Sequence, residues 1–386
     1  MRGGRWLPTV PSRQAFVTAF TAVRSASPHV AAPTHRTPAG RAIPPAAHPL
    51  RRACDAGRHG AYSVRTVADL VPIEEIRAAA RAIADHVERT PTVASAGMTA
   101  LLGVPTTLKL ELLQRSGSFK PRGVANKLLA LSAAERDAGV VAVSGGNHGI
   151  AVAEVAGGMD IRATVVMARS APPRSIERIR AAGADLRLTG DMASAFVSLQ
   201  ELVDEGMTLV HPFDDPVVVA GQGTVGLELA DDAPHLTDVL VSIGGGALIA
   251  GVAVALKASL PDVRVWGVET EGADAMARAL AAGEPVAIAP SSIASTLSAP
   301  HVSELTLEHV RQLVEEVFVV SDTDAMRGVV GFAEEAKLWV EPATGCLVPA
   351  ARQVIERVDD DVSLGFVVCG GNVTHGDVRA WVDRLL

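Results

Sequence analysis

Short β-branched runs, each leading into a glycine-rich or polar turn and then a helical period, set the narrowest limit on the fold of this chain. Val140–Val143 runs into Ser144, Gly145, Gly146, Asn147, His148 and Gly149, and residues 239–243 run into Gly244, Gly245 and Gly246. Residues 163–167 stop before Pro172, and residues 264–268 and 365–368 are two more such runs. Runs this short and this apolar are buried on both faces, so the pattern predicts an α/β protein with parallel sheets covered by helices on both sides. Between residues 74 and 87, Ile76, Ala79, Ala80 and Ile83 recur at helical spacing with charges between them, which predicts an amphipathic helix. With 386 residues the chain has room for two domains of ordinary size or one large unit.

Charge divides the chain. Residues 1–65 hold ten arginines, no lysine and one acid, Asp55, a charge of +9; the whole chain carries −8, which leaves −17 for the remainder. The acidic body argues against nucleic acid as a partner. Eight prolines in residues 1–60 and no sustained apolar period predict that residues 1–63 are a disordered extension, a targeting segment or a start assigned too far upstream. The eighteen uncharged residues 239–256 reach the lower length of a membrane span, but three consecutive glycines suit a strand-to-helix turn better, so no membrane partner is expected. Cys54, Cys346 and Cys369 make neither a disulfide framework nor a metal spacing, which fits a reducing, cytoplasmic compartment.

Chemistry concentrates in the turns. Lys120, one of five lysines, sits in the glycine-punctuated stretch Ser116, Gly117, Ser118, Phe119, Lys120, Pro121, Arg122, Gly123. Taken alone it is a solvated loop lysine; a Schiff-base lysine needs a neutral amine, a tight backbone and an anion site nearby. Gly244, Gly245, Gly246, Ala247 and Leu248 supply such a site, because amides at a helix start hold phosphate without a basic side chain. A dinucleotide site stays open as an alternative: Gly244 and Gly246 begin that spacing and Asp262 or Glu269 could meet a ribose, though Ile249 breaks the pattern. The amides of residues 144–148 could bind a carboxylate, Asn147 could donate to a hydroxyl, and His148 reads better as packed than as a base. Cys369 ends a strand, where open α/β sheets bind ligands.

These four segments in this order, with Gly221-Gln222-Gly223-Thr224, Ile293-Ala294 and Glu341-Pro342-Ala343 in support, resemble the pyridoxal-phosphate enzymes of the tryptophan-synthase-β-like fold (fold type II), in the serine/threonine dehydratase family. The resemblance covers roughly residues 66–386. It implies two open parallel-sheet domains: a large one of residues 64–138 and 215–386, and a small one of residues 139–214. It implies pyridoxal 5'-phosphate carried on Lys120, with Phe119 beside the ring and the phosphate on Gly244, Gly245, Gly246, Ala247 and Leu248. Asn147 then meets the ring hydroxyl, Glu341 belongs to the cofactor site, and Cys369 faces the pyridine nitrogen. Ser144, Gly145, Gly146, Asn147 and His148 hold the substrate carboxylate. The implied activity is an ammonia-lyase that turns a β-hydroxy amino acid such as L-threonine or L-serine into a 2-oxo acid and ammonia, in a homodimer or homotetramer.

Departures from the family pattern refine this expectation. Racemases that resemble the family carry a serine where this chain has Gly145, which disfavours racemisation. Glu269 and Ala273 match two positions of a divalent-cation site, but the third is Ala275, with Asp274 one place early, so no metal is expected. Ala247 stands where a fourth glycine is usual, and tolerates this only with a compatible φ. Pro121 departs from the threonine synthases, and cysteine synthases have a different lysine loop. Ser295-Thr296 replaces the usual Asp-Gly, which leaves the substrate unassigned. Fourteen residues after Asn372 leave no room for a C-terminal regulatory domain, so no feedback control of that kind is expected. Racemisation, β-replacement and a non-catalytic cofactor-binding protein are the competing expectations.

Overall fold

A computed structural model describes residues 70–358 and 361–386; the expectations for residues 1–63 lie outside it. Among the described residues the strands are β1 (Thr92–Ala94), β2 (Thr106–Lys109), β3 (Val140–Val143), β4 (Ala163–Ala168), β5 (Asp185–Thr189), β6 (Thr208–Leu209), β7 (Asp238–Ser242), β8 (Arg264–Thr270), β9 (Glu316–Val320) and β10 (Leu364–Val367). They form two sheets, ordered β1-β2-β10-β7-β8-β9 and β5-β4-β3-β6. The second sheet is parallel throughout. The first is parallel except at its edge, where β1 pairs antiparallel with β2, a departure from the all-parallel expectation. β1 is three residues long and mostly exposed, too short to show an alternation in sequence.

The apolar runs are strands because both of their faces are covered. Every residue of β7, β4 and β10 is buried. Val141 and Val166 pack with Leu199 and Leu202 on one face of the four-stranded sheet, while Val165 packs with Ile150 and Ile179 on the other. In the larger sheet Phe366 pairs with Leu240 on one side and Leu108 on the other, which sets β10 at the centre. The chain leaves β3, β7 and β10 at their carboxyl ends through the three glycine-rich turns, the edge at which open sheets bind ligands.

Two helices cross tightly behind the larger sheet: Pro216–Asp232 and Ala247–Ser259. A Cβ on Gly251 would lie 2.4 Å from the Val219 carbonyl oxygen and 2.5 Å from the Gly223 nitrogen, so only glycine lets the backbones meet there. The uncharged stretch 239–256 is thereby divided between β7 and the buried helix Ala247–Ser259, and among the described residues no helix is long and apolar enough to cross a membrane. The helix Ile73–Ala82 is shorter than its apolar period; Ile83 and Val87 continue the buried face through turns.

Candidate active site

Lys120 stands at the N-terminus of the helix Pro121–Leu129, with proline at the first helical position, where the missing N–H costs nothing. The segment before it is stitched to the end of β10: the Phe119 amide donates to the Cys369 carbonyl at 3.1 Å, and Ser118 bridges Gly370. Two residues on, the fully buried Arg122 guanidinium donates to Glu111 at 2.8 Å and to Glu228 at 2.7 Å, while the buried Lys109 amine donates to Glu228 at 2.6 Å. This cluster ties the lysine helix to the end of β2 and to the helix Pro216–Asp232. The Lys120 side chain keeps part of its surface open to a cavity of about 440 Å³. Its Nζ lies 5.0 Å from the Phe119 ring centre and donates to the Pro212 carbonyl at 3.2 Å. Desolvation lowers its pKa to about 8, against the opposing pull of Cys369 and Glu341. Near neutral pH a share of this amine is therefore unprotonated.

The turn after β7 faces the same cavity. Gly246 adopts φ +97°, which reverses the chain into the thirteen-residue helix Ala247–Ser259. A Cβ on Gly245 would sit 2.0 Å from the Phe213 ring, so the loop lies bare against that ring, and the Gly245 carbonyl is held from behind by the Thr306 hydroxyl at 2.8 Å. Ala247 is the first helical residue and has no positive φ, so its methyl imposes no strain on the turn. Bare amides at the head of a long helix are a site for a phosphate.

A hydrogen-bonded chain crosses the cavity floor. The Arg178 guanidinium, paired with Glu154 at 2.6 Å, donates to Asn372 Oδ1 at 2.8 Å. Asn372 must then point its Nδ2 the other way, and it donates to the Ser116 carbonyl and to Asn147 Oδ1, both at 2.8 Å. That in turn aims Asn147 Nδ2 at the buried Glu341 carboxylate, 3.1 and 3.2 Å away, whose Oε1 also accepts from the Thr296 hydroxyl at 3.1 Å. Burial raises the Glu341 pKa, and its hydrogen bonds oppose that rise. Cys369 Sγ lies 3.4 Å from the Ser242 hydroxyl and 3.3 Å from that of Thr344; burial pushes the thiol up to about 12, so it stays protonated.

A family model described as pyridoxal-phosphate dependent enzyme matches residues 83–370. The chain belongs to this family. L-threonine ammonia-lyase of Thermotoga maritima is 37% identical over 322 residues, covering 82% of this chain and 78% of that protein. The solved structure of maize serine racemase superposes with a TM-score of 0.76 at 34% identity, over 81% of this chain and 97% of that one. The solved structure of a threonine deaminase from T.th. superposes with a TM-score of 0.73 at 35% identity, over 78% and 99%. The fold is that of the fold-type-II pyridoxal-phosphate enzymes, and pyridoxal 5'-phosphate is the cofactor.

The residues fit this cofactor. A desolvated amine, a bare glycine cradle at a helix head, an oriented amide donor and a neutral thiol beside a hydroxyl all border one cavity. Phe119, Lys120, Asn147, Gly244, Gly245, Gly246, Ala247, Leu248, Glu341 and Cys369 line it, as do Ser144, Gly145, Gly146 and His148. His148 is buried, with Nε2 against the Val210 carbonyl at 2.8 Å, and burial together with Lys120 lowers its pKa to about 3, so it is neutral. Of the residues on the divalent-cation pattern, Glu269 accepts from the Met276 and Ala277 amides at 2.9 and 2.8 Å as a cap for the helix Ala275–Ala282, and Asp274 pairs with Arg278. Sequence reasoning missed Arg178, Thr296 as a partner of Glu341, and the orienting role of Asn372; only Asn372 had a signal, its place after Gly370-Gly371.

Proposed function

We propose that this chain is a pyridoxal-phosphate-dependent ammonia-lyase that eliminates the β-hydroxyl of a β-hydroxy amino acid, and that Lys120 carries the cofactor and acts as the base. The observation that carries this reading is the lowered pKa of Lys120 inside a cavity that also presents the glycine cradle and the Asn147 loop. When bound, pyridoxal phosphate supplies a carbonyl that condenses with amines and a ring that draws electron density from the substrate Cα.

The protein's own groups do the rest. The amides of residues 244–248 would hold the phosphate dianion, and the Asn147 amide, aimed through Asn372 and Arg178, would meet the ring hydroxyl. Cys369 keeps its proton and so would set no negative charge beside the cofactor ring, which would limit the electron withdrawal that ring supplies and favour loss of a β-substituent. The amides of residues 144–148 take the substrate carboxylate. Lys120 Nζ removes the Cα proton on its own side, and Gly145 has no side-chain proton to return on the other. A Cβ there would already be 3.1 Å from that of Ala171. Threonine and serine are the first substrates to try, by similarity to the ammonia-lyase and deaminase relatives.

A panel of β-hydroxy amino acids assayed for 2-oxo acid and ammonia tests the reading. Release of both, lost in Lys120→Ala together with the cofactor's visible absorption band, is the expected result. Formation of the opposite enantiomer without ammonia would overturn it in favour of a racemase.

A further inference from the structure

One wall of the cavity has no role in holding a phosphate, a ring or a carboxylate. It is built by the helix Met192–Asp204, whose Met192, Phe196 and Leu199 recur at spacings of four and three and so share one helix face. Leu209 and Val143 extend this wall. Leu199 is rooted in the core under the four-stranded sheet, but Phe196 is half-buried and Met192 is 44% exposed. Apolar surface left open to water in a cleft is unfavourable unless an apolar group covers it. Across the cavity Phe213 packs edge-on against His211 and His301, with ring centres 4.7 and 5.9 Å apart. Burial, His301 and Lys120 lower the His211 pKa to about 3, and its Nδ1 accepts the Asp214 amide at 2.7 Å, so this ring too is neutral.

The charges point the same way. Among the described residues lining the cavity, Lys120 is the only lysine or arginine. Arg178, nearby, is committed to Glu154 and Asn372. A carboxylate on the substrate's β-carbon would meet no lysine or arginine among the described residues of this wall.

We infer that the substrate carries a neutral, apolar group on its β-carbon, larger than the methyl of threonine, seated against Met192 and Phe196. This rests on the lyase reading above and names its substrate class: 3-phenylserine or 3-hydroxyleucine, in preference to serine, threonine or 3-hydroxyaspartate.

The test compares kcat/KM for those five amino acids in the holoenzyme, and separately titrates the shift of the cofactor's absorption on adding each one. The bulky apolar substrates are expected to lead by at least tenfold, the scale on which an apolar pocket discriminates a few methylenes. Met192→Ala and Phe196→Ala should each cut that lead about tenfold. Met192 is surface-exposed, so that variant keeps its fold. A preference for serine, threonine or 3-hydroxyaspartate, or a lead indifferent to both variants, would overturn the inference and leave the lyase reading standing. If no amino acid yields 2-oxo acid, the lyase reading fails, and the titration still decides which β-substituent the wall accepts.

Discussion

A protonated lysine can neither attack a carbonyl nor accept a proton, so the state of one amine decides whether this site works. Burial lowers the Lys120 pKa from 10.5 to about 8. A lowered lysine pKa means the neutral form is gained as pH rises through the lower value. Cofactor capture by the apoprotein, followed by absorbance, should therefore speed up with pH and level off above about 8; a rise that continues toward 10 would show an ordinary solvated lysine. Arg178 is the second decisive residue, though it touches no reacting atom. Its charge fixes the Asn372 amide, which fixes that of Asn147. Because hydrogen bonds to charged groups are worth roughly 1.5–3 kcal/mol, Arg178→Leu should weaken cofactor binding about tenfold or more and shift the absorption maximum, with partial rescue by lysine. Unchanged binding and spectrum in Arg178→Leu would remove it from the site. Lys120 and Asn147 were legible because each sits inside a glycine-marked turn. Arg178 was not: its partner lies 194 residues away and nothing local marks a helix arginine as anything but solvated.

At the scale of elements the five strands read from the sequence, β3, β4, β7, β8 and β10, were legible to within a residue or two, since a buried run framed by turn residues has few alternatives. The shorter or more exposed β1, β5, β6 and β9 were not read, nor was β2. Predicted 239–243 is observed as Asp238–Ser242, and 264–268 as Arg264–Thr270. Boundaries failed where burial and hydrogen bonding part company, as at Ile83 and Val87, which stay buried after the helix ends. Close helix contact was also invisible, and it inverts a propensity rule. Glycine inside a helix costs about 1 kcal/mol relative to alanine, so Gly251→Ala should stabilise an isolated helix Ala247–Ser259. Here the new Cβ would fall 2.4 and 2.5 Å from backbone atoms of the crossing helix, which cannot yield without moving. Overpacking of this kind costs typically 1–3 kcal/mol, so after the propensity gain of about 1 kcal/mol the substitution should destabilise by about 1 kcal/mol net, read as a lower urea midpoint. A raised midpoint would mean the two helices can part, and with them the head of the phosphate loop.

For the whole molecule the acidic balance and the anionic ligands pose a physical problem. Residues 66–386 carry −17, yet the cofactor brings a phosphate and the substrate a carboxylate. The long-range field repels both, so the attraction must be local and short. On the proposed reading, amides at the starts of the helices Asn147–Gly158 and Ala247–Ser259 would provide it from two sheets at once, and among the described residues no arginine lines the cavity. These two contributions respond oppositely to salt. Repulsion between a charged body and an approaching anion is screened beyond a Debye length of about 8 Å at physiological ionic strength. Contacts to amides inside the cavity are screened far less. Raising sodium chloride from about 50 to about 500 mM should therefore accelerate cofactor association by severalfold, leave dissociation nearly unchanged, and tighten the overall Kd. Stopped-flow absorbance at several salt concentrations measures both rates. A Kd that weakens with salt would mean that lysine or arginine side chains hold the phosphate after all, because a site built on cationic side chains loses its attraction to the same screening that here removes a repulsion.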